Sequence, residues 1–225
     1  MSYQMFLESE YFINNQFPYI DMMEQVSDKS YSCFEEFCLE FEEKVISLFD
    51  EFSLECQRYP EQVTHFHVDF EKVPTLIYKN IQKQEPEYFL LGEISSTYPK
   101  SHREKPSGFI FNDYSYLQIE LVLGQRLSDM TIHLLYYSFH YGRMGEEKED
   151  YHFRYDKESN YVFKDGEVTE LGFKPMYHLH GNSDDPHFPD MNQGLIKKLT
   201  NVVQIISLNL GRLRKKYGEC FFDPN

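Results

Sequence analysis

Between Ser32 and Cys56 the apolar side chains recur at helical spacing. Phe34, Phe37, Cys38, Phe41, Val45, Leu48, Phe49 and Phe52 follow an i, i+3, i+4, i+7 pattern. The spacing predicts an amphipathic helix whose stripe is core, with Glu35, Glu36, Glu40, Glu42 and Glu43 largely off it. Ser32-Cys33-Phe34-Glu35 reads as a capping box, in which the serine accepts from an orphan N–H and the glutamate reaches back. Residues 1–28 have poor periodicity and are expected to form an extended arm or short irregular helices packed on the body.

Gln62 to Phe70 alternates as a strand does. Phe66, Val68 and Phe70 take one face, and His65, His67 and Asp69 the other. Val73 to Asn80 fits a short helix or a strand equally well. Tyr88 to Ile94 is apolar enough for a strand. The polar stretch Ser95 to Ser107 is the best boundary, dividing a front unit, residues 1–106, from a rear unit, residues 107–225.

The rear unit reads as antiparallel strands: Tyr116 to Leu123, Met130 to Tyr141, Tyr151 to Lys157 and Met176 to His180. Turns are expected at Gly124 to Asp129 and Gly142 to Asp150, and a tight hairpin at Asp165-Gly166. Connections this short imply antiparallel neighbours. A helix over Met191 to Tyr217 closes the chain, with Asp190 to Gln193 as cap, Gly218 as stop, and Leu195, Leu199, Val202, Val203, Ile206, Leu210 and Leu213 as stripe. The expected fold class is α+β: an antiparallel, Tyr/Phe-rich sheet packed against an N-terminal acidic amphipathic helix and a C-terminal helix.

Composition agrees with a sheet, since 20 Phe and 18 Tyr supply most of the bulk. The net charge of -15 argues against indiscriminate nucleic-acid binding. Residues 1–60 contain 13 acids and 3 Lys plus Arg, whereas Leu195 to Tyr217 has six Lys plus Arg and no acid. Glu35, Glu36 and Glu40 at the front and Arg212, Arg214, Lys215 and Lys216 at the rear are therefore candidate partner-binding charges. The rear cations also complement a helix dipole. Cys33, Cys38, Cys56 and Cys220 form no CxxC pair and read as reduced thiols of a cytoplasmic protein. No basic segment leading into an apolar run opens the chain, and no apolar run approaches the roughly 20 residues of a membrane helix.

The chemistry concentrates between Lys174 and Asp190, which holds three of the nine histidines, three acids, three prolines and a glycine. Alternation puts His178 and His180 on one face, before an exposed polar loop. Strand order brings them beside Arg154 with Asp156, and beside His140. Imidazoles, a guanidinium and a carboxylate suit phosphodiester cleavage in RNA. One His takes the 2′-OH proton, another protonates the leaving oxygen, Arg154 stabilises charge on phosphorus and Asp156 orients a ring. His187, with Asp184 or Asp185, is a candidate loop member. No cofactor is required by this scheme. A divalent metal on His178, His180 and His187 plus a carboxylate, or on His65, His67 and Asp69, stays open as an alternative. His133, His140 and His152 taken singly fit structural histidines. No Walker loop, GxGxxG, GxSxG or HExxH occurs.

Tyr136-Tyr137-Ser138-Phe139-His140-Tyr141, Phe153-Arg154-Tyr155-Asp156 and His178-Leu179-His180-Gly181, followed by a closing helix, resemble the TumE-like toxins of bacterial toxin–antitoxin pairs over roughly residues 115–215. That family commonly has Asn after the Arg-Tyr-Asp, where this chain has Lys157. The resemblance implies a component of a toxin–antitoxin-like or antiviral defence system. The long front half and the acidic charge favour a subunit assembling with proteins of the same operon. A nuclease-type toxin acting on RNA or DNA is the alternative.

Overall fold

The computed structural model describes residues 23–56, 66–70, 75–78, 86–96, 108–113, 115–144, 149–158, 161–164, 167–182 and 187–217. Among these residues two helices, α1 (Phe34–Glu51) and α2 (Leu195–Tyr217), accompany twelve strands. The strands are β1 (Glu24–Ser30), β2 (His67–Phe70), β3 (Thr75–Tyr78), β4 (Pro86–Ser95), β5 (Phe109–Ile110), β6 (Ser115–Arg126), β7 (Thr131–Met144), β8 (Glu149–Lys157), β9 (Tyr161–Lys164), β10 (Glu167–Glu170), β11 (Tyr177–Gly181) and β12 (Phe188–Pro189). Among the described residues ten strands make one antiparallel sheet in the order β12-β11-β8-β7-β6-β4-β2, with β1 on β7, β3 on β4 and β5 on β6. The fold is thus α+β with two helices on a large antiparallel sheet, as the periodicities predict. The strands before and after residue 106 belong to the same sheet.

The α1 stripe is buried as predicted, from Phe34 through Phe49. It meets Leu117, Ile119, Leu121, Leu123, Tyr137, Phe139 and Tyr141 of the sheet, together with the α2 stripe from Leu195 to Leu210. Burying each phenylalanine is worth about 1.5–3 kcal/mol, so this one layer dominates the stability. Its rings interlock edge to face, with Phe49 and Phe109 centroids 5.0 Å apart. Gly92 of β4 lets α1 approach, because a Cβ there would lie 2.9 Å from the Phe34 ring and 3.0 Å from Phe70 Cβ.

Several local expectations are corrected. Cys33, not Ser32, occupies the N-cap of α1, without a side-chain cap bond. Glu36, not Glu35, reaches back, accepting from the Ser32 N–H and hydroxyl at 2.8 Å each. Gly124 does not turn the chain. It pairs within β6, where a Cβ would crowd Met23, Phe89 and Leu91, and the turn comes three residues later. Strand β7 runs through Gly142 to Met144. Helix α2 starts at Leu195 rather than Met191, because Gly194 has φ +74, outside the right-handed helical region. The undecided stretch after Val73 contains the strand β3, and the arm before Ser32 contributes β1 to the sheet. β9 pairs with β10, Lys164 opposite Glu167, on either side of the expected hairpin turn, whose Asp165 and Gly166 lie outside the described residues. Gly218 and Cys220 lie outside the described residues. Cys33, Cys38 and Cys56 are free thiols.

Strand β7 has two antiparallel partners end to end on one side. Its first residues pair with β1 and its later ones with β8, and its register against β6 shifts near Leu135. Lys157 closes this junction. Its ammonium is buried on the helix side and donates to the carbonyls of Leu134 at 2.8 Å and Leu135 at 3.3 Å.

Candidate metal and catalytic centre

The face of the sheet away from the helices carries polar side chains in register. One cross-strand row runs His67, Ser95, Glu120, Ser138, Asp156 and His178; the next runs Gln118, His140, Arg154 and His180. Alternation therefore sends His178 and His180 to the same side as Arg154 and Asp156, as the sequence predicts. Tyr177 and Leu179 take the other side, with Phe153 and Tyr155.

Beyond β11 the chain pairs with it again through β12, with Pro189 opposite His178 and Phe188 opposite Leu179. This fold-back delivers His187. The rings of His178, His180 and His187 form a triangle with centroid separations of 4.8, 4.8 and 4.6 Å. Ligand-capable atoms of the three lie within 4.8 Å of one another, and so do those of Asp156, Glu158 and His178.

Of the two sealed rings, only His178 has a nitrogen in a hydrogen bond. His178 is 0 % exposed and its Nδ1 lies 2.7 Å from the Pro175 carbonyl, so Nδ1–H donates there and Nε2 has the lone pair in the neutral ring. That Nε2 lies 3.3 Å from Glu158 Oε1 and 3.6 Å from Asp156 Oδ2, without a hydrogen bond to either. His180 is 1 % exposed, with Nε2 3.2 Å from Asp156 Oδ2 but not aligned for a bond, and with Nδ1 likewise unbonded. Asp156 Oδ1 also makes no hydrogen bond.

The carboxylates stay ionised despite their burial. Burial alone would push the Asp156 carboxyl up, but His180, Arg154 and Ser138 outweigh it and hold the group below its usual range. Arg154 Nε donates to Asp156 Oδ2 at 2.7 Å, and its own side chain is 28 % exposed, the most open of the group. Burial would also raise Glu158, but His178 and the ion pair with Lys174 hold it well below the ordinary range. Burial, then the charges of Asp156 and Glu120, push the Tyr136 phenol far up and keep it protonated.

Of the other candidates, His140 shares the face, opposite Arg154, with its ring stacked between Tyr116 at 5.9 Å and His152 at 5.1 Å and nearly parallel to both. His133 is structural, with Nε2 3.0 Å from Thr131 Oγ1 and its ring edge-on to Phe89. His67 and Asp69 are exposed on β2, with His65 outside the described residues, as are Asp184 and Asp185. Of the acidic partner candidates, Glu36 caps Ser32 and pairs with Lys29, Glu40 pairs with Lys29 and accepts from Tyr31, and Glu35 is exposed. Arg212, Arg214, Lys215 and Lys216 occupy the last turns of α2, and their side chains lie outside the described residues.

Glu158, Lys174 and Ser138 were not singled out from the sequence. Glu158 had a signal, standing two residues beyond Asp156 and so on the same side of the strand. Ser138 and Lys174 had none, because only cross-strand register and the β10–β11 connection bring them in. Among the described residues no helix is long and apolar enough to cross a membrane. Comparison with known proteins finds no matching family model, no similar curated protein and no similar solved structure.

Proposed function

We propose that the chain cleaves phosphodiester bonds in RNA or DNA, as a toxin-like or antiviral defence effector, with the far face of the sheet as its site. The observation that carries this reading is the adjacency of a half-open guanidinium, Arg154, to an ionised buried carboxylate, Asp156, and three clustered imidazoles. Arg154 meets the phosphate and offsets charge building on its oxygens. Asp156 fixes both Arg154 and His180, while the imidazoles manage the attacking oxygen. The test is cleavage of end-labelled single-stranded RNA and DNA by the chain and by Arg154→Met. The variant should lose about 100-fold or more in rate, as expected for one preorganised charge-stabilising group. Equal cleavage by a folded Arg154→Met removes the assignment.

A second reading is favoured by the near-complete burial of His178 and His180, which keeps both rings from direct contact with a polymer. Here the chain is a cytoplasmic, non-catalytic subunit assembling with other proteins of its operon through the charges of α1 and of the α2 end. Co-expression with neighbouring genes should then yield a complex lost on reversing Arg212, Arg214, Lys215 and Lys216. A monomer that turns over nucleic acid excludes it.

A further inference from the structure

We infer that His178, His180 and His187 bind a single transition-metal ion, zinc by preference, with Asp156 orienting His180 from behind.

The first support is the state of the two sealed rings. In each, one nitrogen faces an acceptor, the Pro175 carbonyl for His178 and the Asp156 carboxylate for His180. The other nitrogen, Nε2 of His178 and Nδ1 of His180, is buried and makes no hydrogen bond, and His180 Nε2 sits 3.2 Å from Asp156 without being aligned for one. An imidazole whose far nitrogen is held by a carbonyl or carboxylate is the usual arrangement of a metal ligand, since the second contact fixes both tautomer and ring plane. Buried polar atoms left without partners cost about 1–3 kcal/mol each, so several at one point mark a place that a cation or an ordered water would satisfy.

The second support is the setting of the nitrogens among carboxylates. Nε2 of His178 lies 3.3 Å from Glu158 Oε1 and 3.6 Å from Asp156 Oδ2, without a hydrogen bond to either. A cation held at this point meets both the imidazole nitrogens and the carboxylates favourably.

The third support is the donor set. Three imidazoles favour zinc, nickel, cobalt or copper over calcium and magnesium, which take oxygen. Ligand atoms within 4.8 Å of one another reach the spacing of a four-coordinate ion with bonds of about 2.0–2.1 Å by closing up to about 1.4 Å, a movement of side-chain torsions. Three protein ligands leave one position for water. Resting on the hydrolytic reading above, that water would be the attacking oxygen, about 7 in pKa when bound to zinc at such a site.

The test uses the full chain, free of any affinity tag, with zinc as the probe. Elemental analysis and calorimetry should give about one zinc per chain, and cobalt(II) should give the visible spectrum of a four-coordinate site. His187→Ala, altered only on the fold-back loop, should weaken zinc at least about 100-fold, more than loss of an outer-shell partner costs. Zinc should raise the melting temperature of the parent chain and not that of His187→Ala. No zinc bound by the parent chain, or equal affinity in His187→Ala, overturns the inference. Zinc binding without any cleavage of RNA or DNA leaves the metal site standing and sinks the hydrolytic reading. Chelator-insensitive cleavage by a chain that binds no zinc does the reverse.

Discussion

His187 brings its ring to within 4.6 Å of His180, although the turn after β11 separates them in sequence. The contact exists because β12 pairs back onto β11 through only two residues. Seating of that short strand and completion of the histidine triangle are one event. A change that frays the sheet edge at Phe188 would therefore open the cluster without touching an imidazole.

Arg154→Ala should show what the guanidinium does for Asp156. The native carboxyl titrates below its ordinary value of 3.8, so its stabilisation is present above that value and is lost as pH falls through the lower folded value. Without Arg154 the burial contribution gains weight and the carboxyl rises. Acid unfolding, followed by circular dichroism, should begin at a higher pH than in the parent. At neutral pH the loss should reach about 3 kcal/mol at most, the lower end for a broken buried pair, because Arg154 is partly exposed.

Lys157 should make stability rise with pH in a defined interval. Burial pushes its amine down to about 8 from 10.5. Above pH 8 the unfolded chain still binds this proton and the folded chain does not, so folding gains up to about 1.4 kcal/mol per pH unit. The gain ends near pH 10, where buried phenols such as Tyr137 and Tyr177, raised in the folded state, begin to oppose it. Urea titrations at pH 7, 8, 9 and 10 (roughly the span between the two lysine values) should show this slope in the parent. Lys157→Met should lack it.

Gly92→Ala should cost about 1–3 kcal/mol, the range for forcing an extra carbon into a packed core. The Phe34 ring would have to move off the sheet. Gly172→Ala, where nothing lies within 4 Å of the added carbon, should stay within about 0.5 kcal/mol. Equal denaturation midpoints for the two variants would contradict the close approach of α1.

The thiols should differ sharply in reactivity. Cys33 is exposed, whereas Cys38 is buried and its thiol is pushed up to about 12, by burial first and then by nearby Glu35. Alkylation at pH 8 with peptide mapping should label Cys33 quickly and leave Cys38 unmodified until the chain is denatured.

Much of this molecule is legible along the chain, for a physical reason. The α1 stripe and the alternation in Tyr151 to Lys157 and in Met176 to His180 are local periodicities, and burial of one face makes them binding. The shared side of Arg154, Asp156, His178 and His180 follows from that alternation alone. What escaped depends on contacts distant in sequence. Gly124 looks like a turn residue until Phe89 and Leu91 are seen to need its space. Glu36 looks like part of an acidic face until it is found on Ser32. His140 stands opposite Arg154 as the alternation predicts, but its stacking between Tyr116 and His152 shows only once the strands are in register. His187 is named from the sequence as a companion of His178 and His180, but no pattern announces the β11–β12 pairing that sets it beside them.

Glu24 accepts from the Tyr177 hydroxyl at 3.1 Å, and its charge also acts on Lys157 where β1 gives way to β8. Tyr177 immediately precedes His178. The strand entering the sheet at Glu24 is thereby tied, through one hydrogen bond, to the residue next to the first imidazole of the cluster. Loss of that bond would loosen β1 and the start of β11 together.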